Sequence, residues 1–375
     1  MTRKTVINKV RRIVLKVGSQ VLTGKGKSLS QPVFDRLGRE ISLAKRKGYE
    51  IVIVSSGAIA AGMSRLGLAE KPKTMPQKQA AAAIGQSALM WNYERAFTFY
   101  GEKVAQVLLT RDDLSNRKRY LNARSTLFTL LDLGVIPIIN ENDTVAVEEI
   151  KVGDNDNLSA LVTNLVCADL LIILSDIDGL YDRDPRLSKN AKLIPLVHQV
   201  TGEMEKKASG TLNPISIGGM ITKLQAARKA AIFGVPTILA NGMTEGVLRR
   251  IFQAEEVGTL FTSAVNKLTS RKHWIACTLE PHGKITVDEG AKKAILQKGK
   301  SLLPSGVLAA EGPFALGDPV VLVDPQQQEF ARGLSNYGSA EINKIKGLKT
   351  TEVEIKLGYK YSDEIVHRDD LVVLY

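Results

Sequence analysis

Cysteine and histidine are scarce in this chain of 375 residues, which contains two cysteines and four histidines. Two cysteines are too few for a disulfide framework, and the histidines lack the close spacing of a zinc site. No apolar run is long enough to span a bilayer. The first residues are basic but lack the apolar core of a signal peptide, so we expect a cytoplasmic protein without a membrane segment.

Acidic residues are outnumbered by basic ones, and the net charge is +12. The excess lies in residues 1–275, which carry +14, whereas residues 276–375 carry −2. A basic surface of this kind fits nucleic acid or a phosphate-bearing substrate, and a solvated lysine-rich surface is the simpler explanation.

Apolar runs that alternate with helical patterns fill most of the chain. We predict strands at residues 11–17, 50–54, 104–109, 135–139, 170–174, 236–240 and 258–261. This alternation predicts an α/β fold with a mostly parallel central sheet flanked by helices.

The pattern changes near residue 265, beyond which the predicted strands are short and glycine and proline are frequent. These strands are residues 284–287, 319–322, 330–334, 353–355 and 371–374. We therefore predict a first domain at residues 1–265, a linker at about 266–275 and a small β-rich domain at residues 276–375.

Polar and glycine clusters follow several of the predicted strands of the first domain. They are Gly18-Ser19, Ser56-Gly57, Asn140–Asp143 and Ser175-Asp176. Ligands of parallel sheets bind beyond the carboxyl ends of the strands. The sequence therefore predicts the functional site at that edge.

The segment 150–160, IKVGDNDNLSA, is the most polar of these clusters. Asp154, Asn155, Asp156 and Asn157 stand together before a helix that is predicted from Leu158. A helix cap needs only one or two such residues. The surplus favours a functional role over a purely structural one.

Two lysines are candidates for contacts with phosphate. Lys16 ends a buried strand, and Gly18 beside it would let a phosphate approach the backbone, so we favour a phosphate contact over a structural ion pair. Lys223 follows Gly218 and Gly219, which we predict to open a helix and to form an anion site. An exposed lysine on an amphipathic helix is the alternative at that position.

The polar residues near these lysines include no obvious nucleophile. Ser56, Asp143, Asn155 and Asp156 supply hydrogen-bond donors and acceptors, and no Ser-His-Asp set is apparent. Positioning and charge neutralisation suffice for phosphoryl transfer, because little covalent work falls to the protein in that reaction.

The combination of segments resembles the amino-acid kinase family, in particular its members that phosphorylate glutamate. The segments are VLKVGS (14–19), IVIVSSGAIAAG (51–62), LNAR (121–124), INENDTVA (139–146), IKVGDNDNLSA (150–160), LSDIDGLYDRDPR (174–186) and GGMITKLQAA (218–227). The residues after about 276 are similar to a PUA domain.

This resemblance implies ATP-dependent phosphorylation of the L-glutamate side-chain carboxylate to glutamyl 5-phosphate, the first step of proline synthesis. It implies that Lys16 and Lys223 contact the transferring phosphoryl group and that Asp156 holds both lysines. Mg²⁺ would bridge the ATP phosphates mostly through phosphate oxygens and water, and we identify no protein ligand for it.

The resemblance also assigns the two substrate sites. Ser56, Asp143 and Asn155 would bind glutamate. The nucleotide would contact Lys16, Ser175, Asp176, Ile217, Gly218, Gly219, Met220, Ile221, Thr222 and Lys223.

Two alternatives remain open. A sibling enzyme of the same fold would phosphorylate aspartate, acetylglutamate or a nucleotide instead. An RNA-binding accessory protein is suggested by the PUA-like domain, although its acidic balance disfavours strong nucleic-acid binding. The resemblance further implies inhibition by proline through the loop at residues 116–153, and a homodimer or homotetramer.

Overall fold

The structure is a computed structural model that describes residues 2–24, 26, 28–145, 154–209, 214–263 and 281–374. The chain divides into two compact units, of which the first comprises Met1–Asn116 with Asn122–Asn266 and the second Arg117–Leu121 with Lys267–Tyr375. The predicted linker at residues 266–275 lies outside the described residues, so the domain boundaries stay a prediction.

An eight-stranded sheet is the centre of the first unit. Its strands are β1 (Arg12–Val17), β2 (Glu50–Ser55), β3 (Val104–Leu109), β4 (Ile136–Glu141), β5 (Leu170–Ser175), β6 (Leu196–Val197), β7 (Thr237–Asn241) and β8 (Thr259–Phe261). They lie in the order β3-β4-β2-β1-β5-β7-β8-β6. All neighbouring pairs are parallel except β7 and β8, so the predicted mostly parallel sheet is confirmed.

The central strands are nearly continuous runs of branched apolar residues. Strand β5 is buried at all six positions, and β1 is buried at every position but the first. Strands that are covered on both faces need apolar side chains on both faces, which explains why these runs do not alternate with polar residues. The core of the first unit is built on these strands.

Helices connect the strands in the chain. They are α1 (Arg3–Ile7), α2 (Ser19–Thr23), α3 (Gln31–Arg46), α4 (Ala58–Leu66), α5 (Met75–Thr98), α6 (Arg111–Ser115), α7 (Arg117–Asp132), α8 (Asp154–Leu165), α9 (Gly202–Ser209), α10 (Pro214–Ile232) and α11 (Val247–Phe252). Within the described part of the chain, none of the helices combines the length and the apolar character needed to cross a membrane.

Two helix starts differ from the prediction. Helix α8 begins at Asp154 rather than at Leu158, so the polar cluster forms the first turn of the helix instead of a preceding loop. Helix α10 begins at Pro214, so Gly218 and Gly219 lie inside the helix and do not open it. The second prediction was wrong because proline is well suited to the first turn of a helix and sets the start earlier.

Helices α4 and α5 are in direct backbone contact. A Cβ atom added to Gly62 would lie 1.8 Å from the carbonyl oxygen of Ala81, and one added to Gly85 would lie 1.7 Å from that of Ala58. Only glycine permits so close an approach. The contact at Ala58 brings the middle of α5 against the first residue of α4, beside the end of β2.

The second unit contains a five-stranded sheet in the order β10-β9-β11-β12-β13. Its elements are β9 (Gly283–Val287), α12 (Glu289–Lys298), β10 (Val307–Glu311), β11 (Pro319–Val323), β12 (Glu329–Leu334), α13 (Ser339–Ile345), α14 (Val353–Leu357) and β13 (Leu371–Val373). The β-rich prediction is confirmed, and β10 was not predicted.

The strand that we predicted at residues 353–355 is instead part of helix α14. The sequence VEIKL alternates apolar and polar residues, which is typical of a strand. Gly358 follows in the left-handed conformation at φ +82°, which ends the helix. Val353 is buried, whereas Ile355 is 86% exposed, so no alternating face is covered.

Candidate active site

Three charged side chains from different elements meet at the carboxyl edge of the first sheet. Lys16 lies in β1, Asp156 in the first turn of α8 and Lys223 in α10. Lys16 Nζ is 2.6 Å from Asp156 Oδ1, and Lys223 Nζ is 3.2 Å from Asp156 Oδ2. Asp156 is fully buried, and both lysines are less than a tenth exposed.

Helix α10 supports this group with backbone and hydroxyl contacts. Lys223 Nζ donates to the carbonyl oxygen of Gly219 at 2.9 Å, one turn earlier. The Thr222 hydroxyl donates to Asp156 Oδ2 at 2.8 Å and also lies 3.0 Å from the Gly219 carbonyl oxygen. The carboxylate of Asp156 is therefore held by three side chains.

Burial and charge oppose each other at Asp156 and Lys16. Burial alone would raise the pKa of Asp156, but Lys16 and Lys223 outweigh it and hold the pKa below its usual range. For Lys16, burial lowers the pKa, and Lys223 lowers it further, although Asp156 counteracts both. The carboxylate therefore stays ionised at neutral pH and acts as the counter-ion of both lysines.

An ammonium group has three N–H donors. Lys16 uses one in its contact with Asp156, and Lys223 uses two in its contacts with Asp156 and Gly219. Beyond these contacts, the described residues leave two donors on Lys16 and one on Lys223. Two ammonium groups and one carboxylate carry a net charge of +1, which suits an anionic phosphoryl group.

Gly18 has a close-packing role beside Lys16. We expected this glycine to let a phosphate approach its backbone. Its N–H instead donates to the carbonyl oxygen of Leu174 at 3.0 Å and ties the end of β1 to β5. A Cβ atom on Gly18 would lie 3.2 Å from the same oxygen, so the glycine is explained by close packing.

A network of amide side chains lies at the carboxyl ends of β2 and β4. Asn155 Nδ2 lies 3.2 Å from Ser56 Oγ and 3.1 Å from Asn140 Oδ1. Asn140 Nδ2 donates to Gln86 Oε1 at 2.9 Å. Ser56 and Asn155, both predicted to bind the acceptor substrate, are thus brought together by the fold.

Two atoms of this network are buried and have no hydrogen-bond partner among the described residues. They are Gln86 Nε2 and Asn155 Oδ1. Buried polar atoms are normally paired, so an unpaired donor and an unpaired acceptor in one network indicate a ligand. Asp143, the third residue predicted for this substrate, is also buried and follows the end of β4.

The predicted nucleotide residues follow β5 and lie in α10. Ser175 is the last residue of β5, and its hydroxyl donates to Asp176 Oδ1 at 3.0 Å. Gly219, Met220 and Ile221 are partly buried residues of α10. The side chains of residues 214–218, which include Ile217, lie outside the described part of the structure, and so do residues 210–213.

The sequence prediction missed Gln86 and its link to Asn140. A signal was available, because α5 is rich in alanine and contains Gly85, a composition that permits close helix packing. What the sequence did not indicate is the partner helix, and hence which residue of α5 would reach the site.

Among the described residues, no group of three or more histidine, cysteine, aspartate or glutamate side chains is arranged to hold a metal ion.

Comparison with known proteins identifies the class of this enzyme. The Amino acid kinase family matches residues 11–241, and the PUA domain matches residues 283–357. The chain therefore belongs to the amino acid kinase family and is a phosphotransferase with an appended PUA domain, as the resemblance of its motifs implied.

Relatives that match the chain along its whole length are named Glutamate 5-kinase. One from Geobacter sulfurreducens is 55% identical over 99% of this chain and 100% of its own. One from Pelobacter propionicus is 54% identical with the same coverage. A UMP kinase from Bacillus anthracis, a solved structure, aligns at TM-score 0.48 and 17% identity over 68% of this chain and 97% of its own, too weakly to inform the site.

Proposed function

We propose that this enzyme transfers the γ-phosphoryl group of ATP to the side-chain carboxylate of L-glutamate, giving L-glutamyl 5-phosphate for proline synthesis. The observation that carries the proposal is the pair of lysines on the buried carboxylate of Asp156. The names of the full-length relatives support glutamate as the acceptor.

In the proposed reaction, a carboxylate oxygen of glutamate attacks the γ-phosphorus of ATP. The bond from that phosphorus to the bridging oxygen breaks, and its electron pair leaves with ADP. Negative charge in the transition state lies on the phosphoryl oxygens. The remaining N–H donors of Lys16 and Lys223 stabilise this charge, while Asp156 fixes both lysines in position.

In this proposal the two substrates bind beyond the carboxyl ends of different strands. Ser56, Asp143 and Asn155 bind glutamate, and the carboxylate of Asp143 suits its ammonium group. Ser175, Asp176 and residues 217–223 contact the nucleotide. When bound, Mg²⁺ supplies positive charge to the ATP phosphates and needs few protein ligands.

A hydroxamate assay tests this function. The enzyme is mixed with ATP, Mg²⁺, L-glutamate and hydroxylamine, which traps the acyl phosphate as a coloured hydroxamate. We expect a signal that depends on both ATP and glutamate. A signal no greater than without glutamate would refute the proposal. A larger hydroxamate signal with aspartate or N-acetylglutamate, or consumption of UMP in a parallel reaction without glutamate, would favour a sibling activity.

Further properties implied by the family resemblance stay predictions. They are inhibition by proline, assembly into a dimer or tetramer, a cytoplasmic location and RNA binding by the second unit. The predicted proline loop includes residues 146–153, which lie outside the described structure. Titration with proline in the hydroxamate assay, and filter binding with total RNA, test the first and the last of these.

A further inference from the structure

We propose that Gln86 of α5 binds the α-carboxylate of the amino-acid substrate through its Nε2 donor. This proposal rests on the proposed function, because it assigns one more contact within the same acceptor site. Gln86 connects to this site through Asn140, whose Nδ2 donates to Gln86 Oε1 at 2.9 Å.

The orientation of the three amides in this network is set by one backbone group. The N–H of Glu141 donates to Asn140 Oδ1 at 2.9 Å, and a backbone N–H can only donate. The other end of the Asn140 amide is therefore the donor, and the atom of Gln86 that it meets is the acceptor oxygen. The second atom of the Gln86 amide must then be Nε2, a donor.

This donor is buried and unpaired among the described residues, and so is Asn155 Oδ1 at the other end of the network. Leaving such atoms unpaired is costly, and a ligand that pairs them binds favourably. One free donor and one free acceptor match the carboxylate and the ammonium group of an α-amino acid. A nucleotide acceptor has no such pair of charges.

The order of the strands indicates which carboxylate Gln86 meets. Lys16 in β1 pairs in register with Val54 in β2, and Val54 pairs with Ile139 in β4, the residue before Asn140. Adjacent strands lie about 4.8 Å apart, so Asn140 lies about 10 Å across the sheet from the strand position of Lys16. The side-chain carboxylate of glutamate must face Lys16 and Lys223, because it is the group that is phosphorylated. The α-carboxylate is then the group that lies next to Gln86.

The packing of α5 explains how Gln86 reaches the site. Gly85 lies against the carbonyl oxygen of Ala58, the first residue of α4. Eight residues beyond Gly85 on α5, the Tyr93 hydroxyl lies 3.0 Å from Ser55 Oγ at the end of β2. Helix α5 is thus fixed at two points against the strand end that carries Ser56.

Steady-state kinetics of the variant Gln86→Glu test the proposal. This substitution keeps the size and one acceptor oxygen for Asn140, but it replaces the Nε2 donor with an anionic oxygen. We expect the KM for L-glutamate to rise about tenfold to a hundredfold, while the KM for ATP stays unchanged and kcat falls less than the KM rises. A purely structural role would not separate the two KM values.

Two controls make the result specific. Asn92→Asp changes an amide on the same helix whose Nδ2 donates to the Ala88 carbonyl oxygen, and it should leave the KM for glutamate unchanged. L-glutamate α-amide probes the wild-type enzyme directly, because it lacks the α-carboxylate. We expect it to bind much more weakly than glutamate to wild type, and this difference should shrink or reverse in Gln86→Glu.

The proposal is overturned if folded Gln86→Glu has the wild-type KM for glutamate, or if wild type uses the α-amide as well as glutamate. Should Gln86→Glu fail to fold, Gln86→Met, which also lacks the donor, replaces it with the same expectation, and the α-amide comparison on wild type still decides. Absence of glutamate-dependent product in wild type refutes the proposed function instead, so the two failures are distinguishable.

Discussion

Lys16 and Lys223 contact opposite oxygens of the same buried carboxylate, at 2.6 and 3.2 Å respectively. Lys16 comes from the central strand β1, and Lys223 comes from α10, later in the chain than Asp156. Asp156 therefore joins two parts of the chain that are distant in sequence. Two ammonium groups this close would repel each other without the shared counter-ion. The arrangement concentrates positive charge where a phosphoryl group is proposed to transfer.

Replacing Lys223 with alanine should reduce kcat strongly. Its remaining N–H donor is proposed to contact the phosphoryl oxygens most strongly as their charge develops, so the loss falls on the transition state. Removal of one such donor costs about 100-fold to 1,000-fold in kcat in comparable sites. Hydroxamate kinetics at saturating substrates measure the effect.

Arg228→Gln is the matched control for this experiment. Arg228 lies on the same helix, but it is more than half exposed and pairs with Glu205. Exposed pairs contribute little, so kcat should change less than about twofold. An unchanged kcat in Lys223→Ala would remove Lys223 from the proposed mechanism.

Asp156→Asn should destabilise the fold at neutral pH. It leaves Lys16 and Lys223 buried without their counter-ion, and breaking a buried charge pair in this way costs about 3–5 kcal/mol. Urea unfolding of wild type and variant at pH 7 measures the difference in the free energy of unfolding. A difference below about 1 kcal/mol would contradict the view that Asp156 holds the lysines together.

The pH dependence of that difference has a defined sign. The pKa of Asp156 is lowered in the folded state, despite burial, by Lys16 and Lys223. Its stabilising effect is therefore fully present above the unfolded pKa of about 3.9 and is lost as pH falls through the lower folded value. The difference in the free energy of unfolding between wild type and Asp156→Asn should stay constant down to about pH 5 and become smaller only in stronger acid.

Most of the first unit was predictable because its strands are long apolar runs. The predicted strand at residues 104–109 has the observed bounds, and the others differ by one or two residues. The short helices α1, α2, α6, α9 and α11 were not predicted, since helices of five to eight residues carry little periodicity. Tertiary contacts, which the sequence does not display, stabilise them.

The candidate site was predictable only where it follows a strand or a recognisable motif. Lys16, Ser56 and Asn155 stand at such places, and the structure brings them to one edge of the sheet. Gln86 stands in the middle of a helix, and its position depends on the glycine contact between α4 and α5. Such a residue is found only when the partner helix is known.

Asp143→Asn should raise the KM for glutamate, because the proposed partner of its carboxylate is the ammonium group of the substrate. Loss of a hydrogen bond to a charged group corresponds to an increase of about 10-fold or more, and kcat should change less. Asp132→Asn, an exposed aspartate at the end of α7, is the control and should leave both parameters unchanged. A normal KM in Asp143→Asn would contradict the assignment of Asp143.

Gly85→Ala should weaken both the fold and glutamate binding. The new Cβ would lie 1.7 Å from the carbonyl oxygen of Ala58 and 2.5 Å from the backbone nitrogen of Gly62, so α4 and α5 must separate. Overpacking of this kind costs about 1–3 kcal/mol or more in the free energy of unfolding. Since Gln86 is the next residue, the same movement should raise the KM for glutamate and leave that for ATP unchanged.

Gly202→Ala provides the comparison for Gly85→Ala, because no atom lies within 4 Å of the added Cβ at that position. Its φ is not in the left-handed region, so the substitution should be neutral or stabilise by at most about 1 kcal/mol. Urea unfolding and hydroxamate kinetics of both variants separate a general effect of added methyl groups from the specific contact. If Gly85→Ala behaves like Gly202→Ala, then the contact between α4 and α5 does not position Gln86.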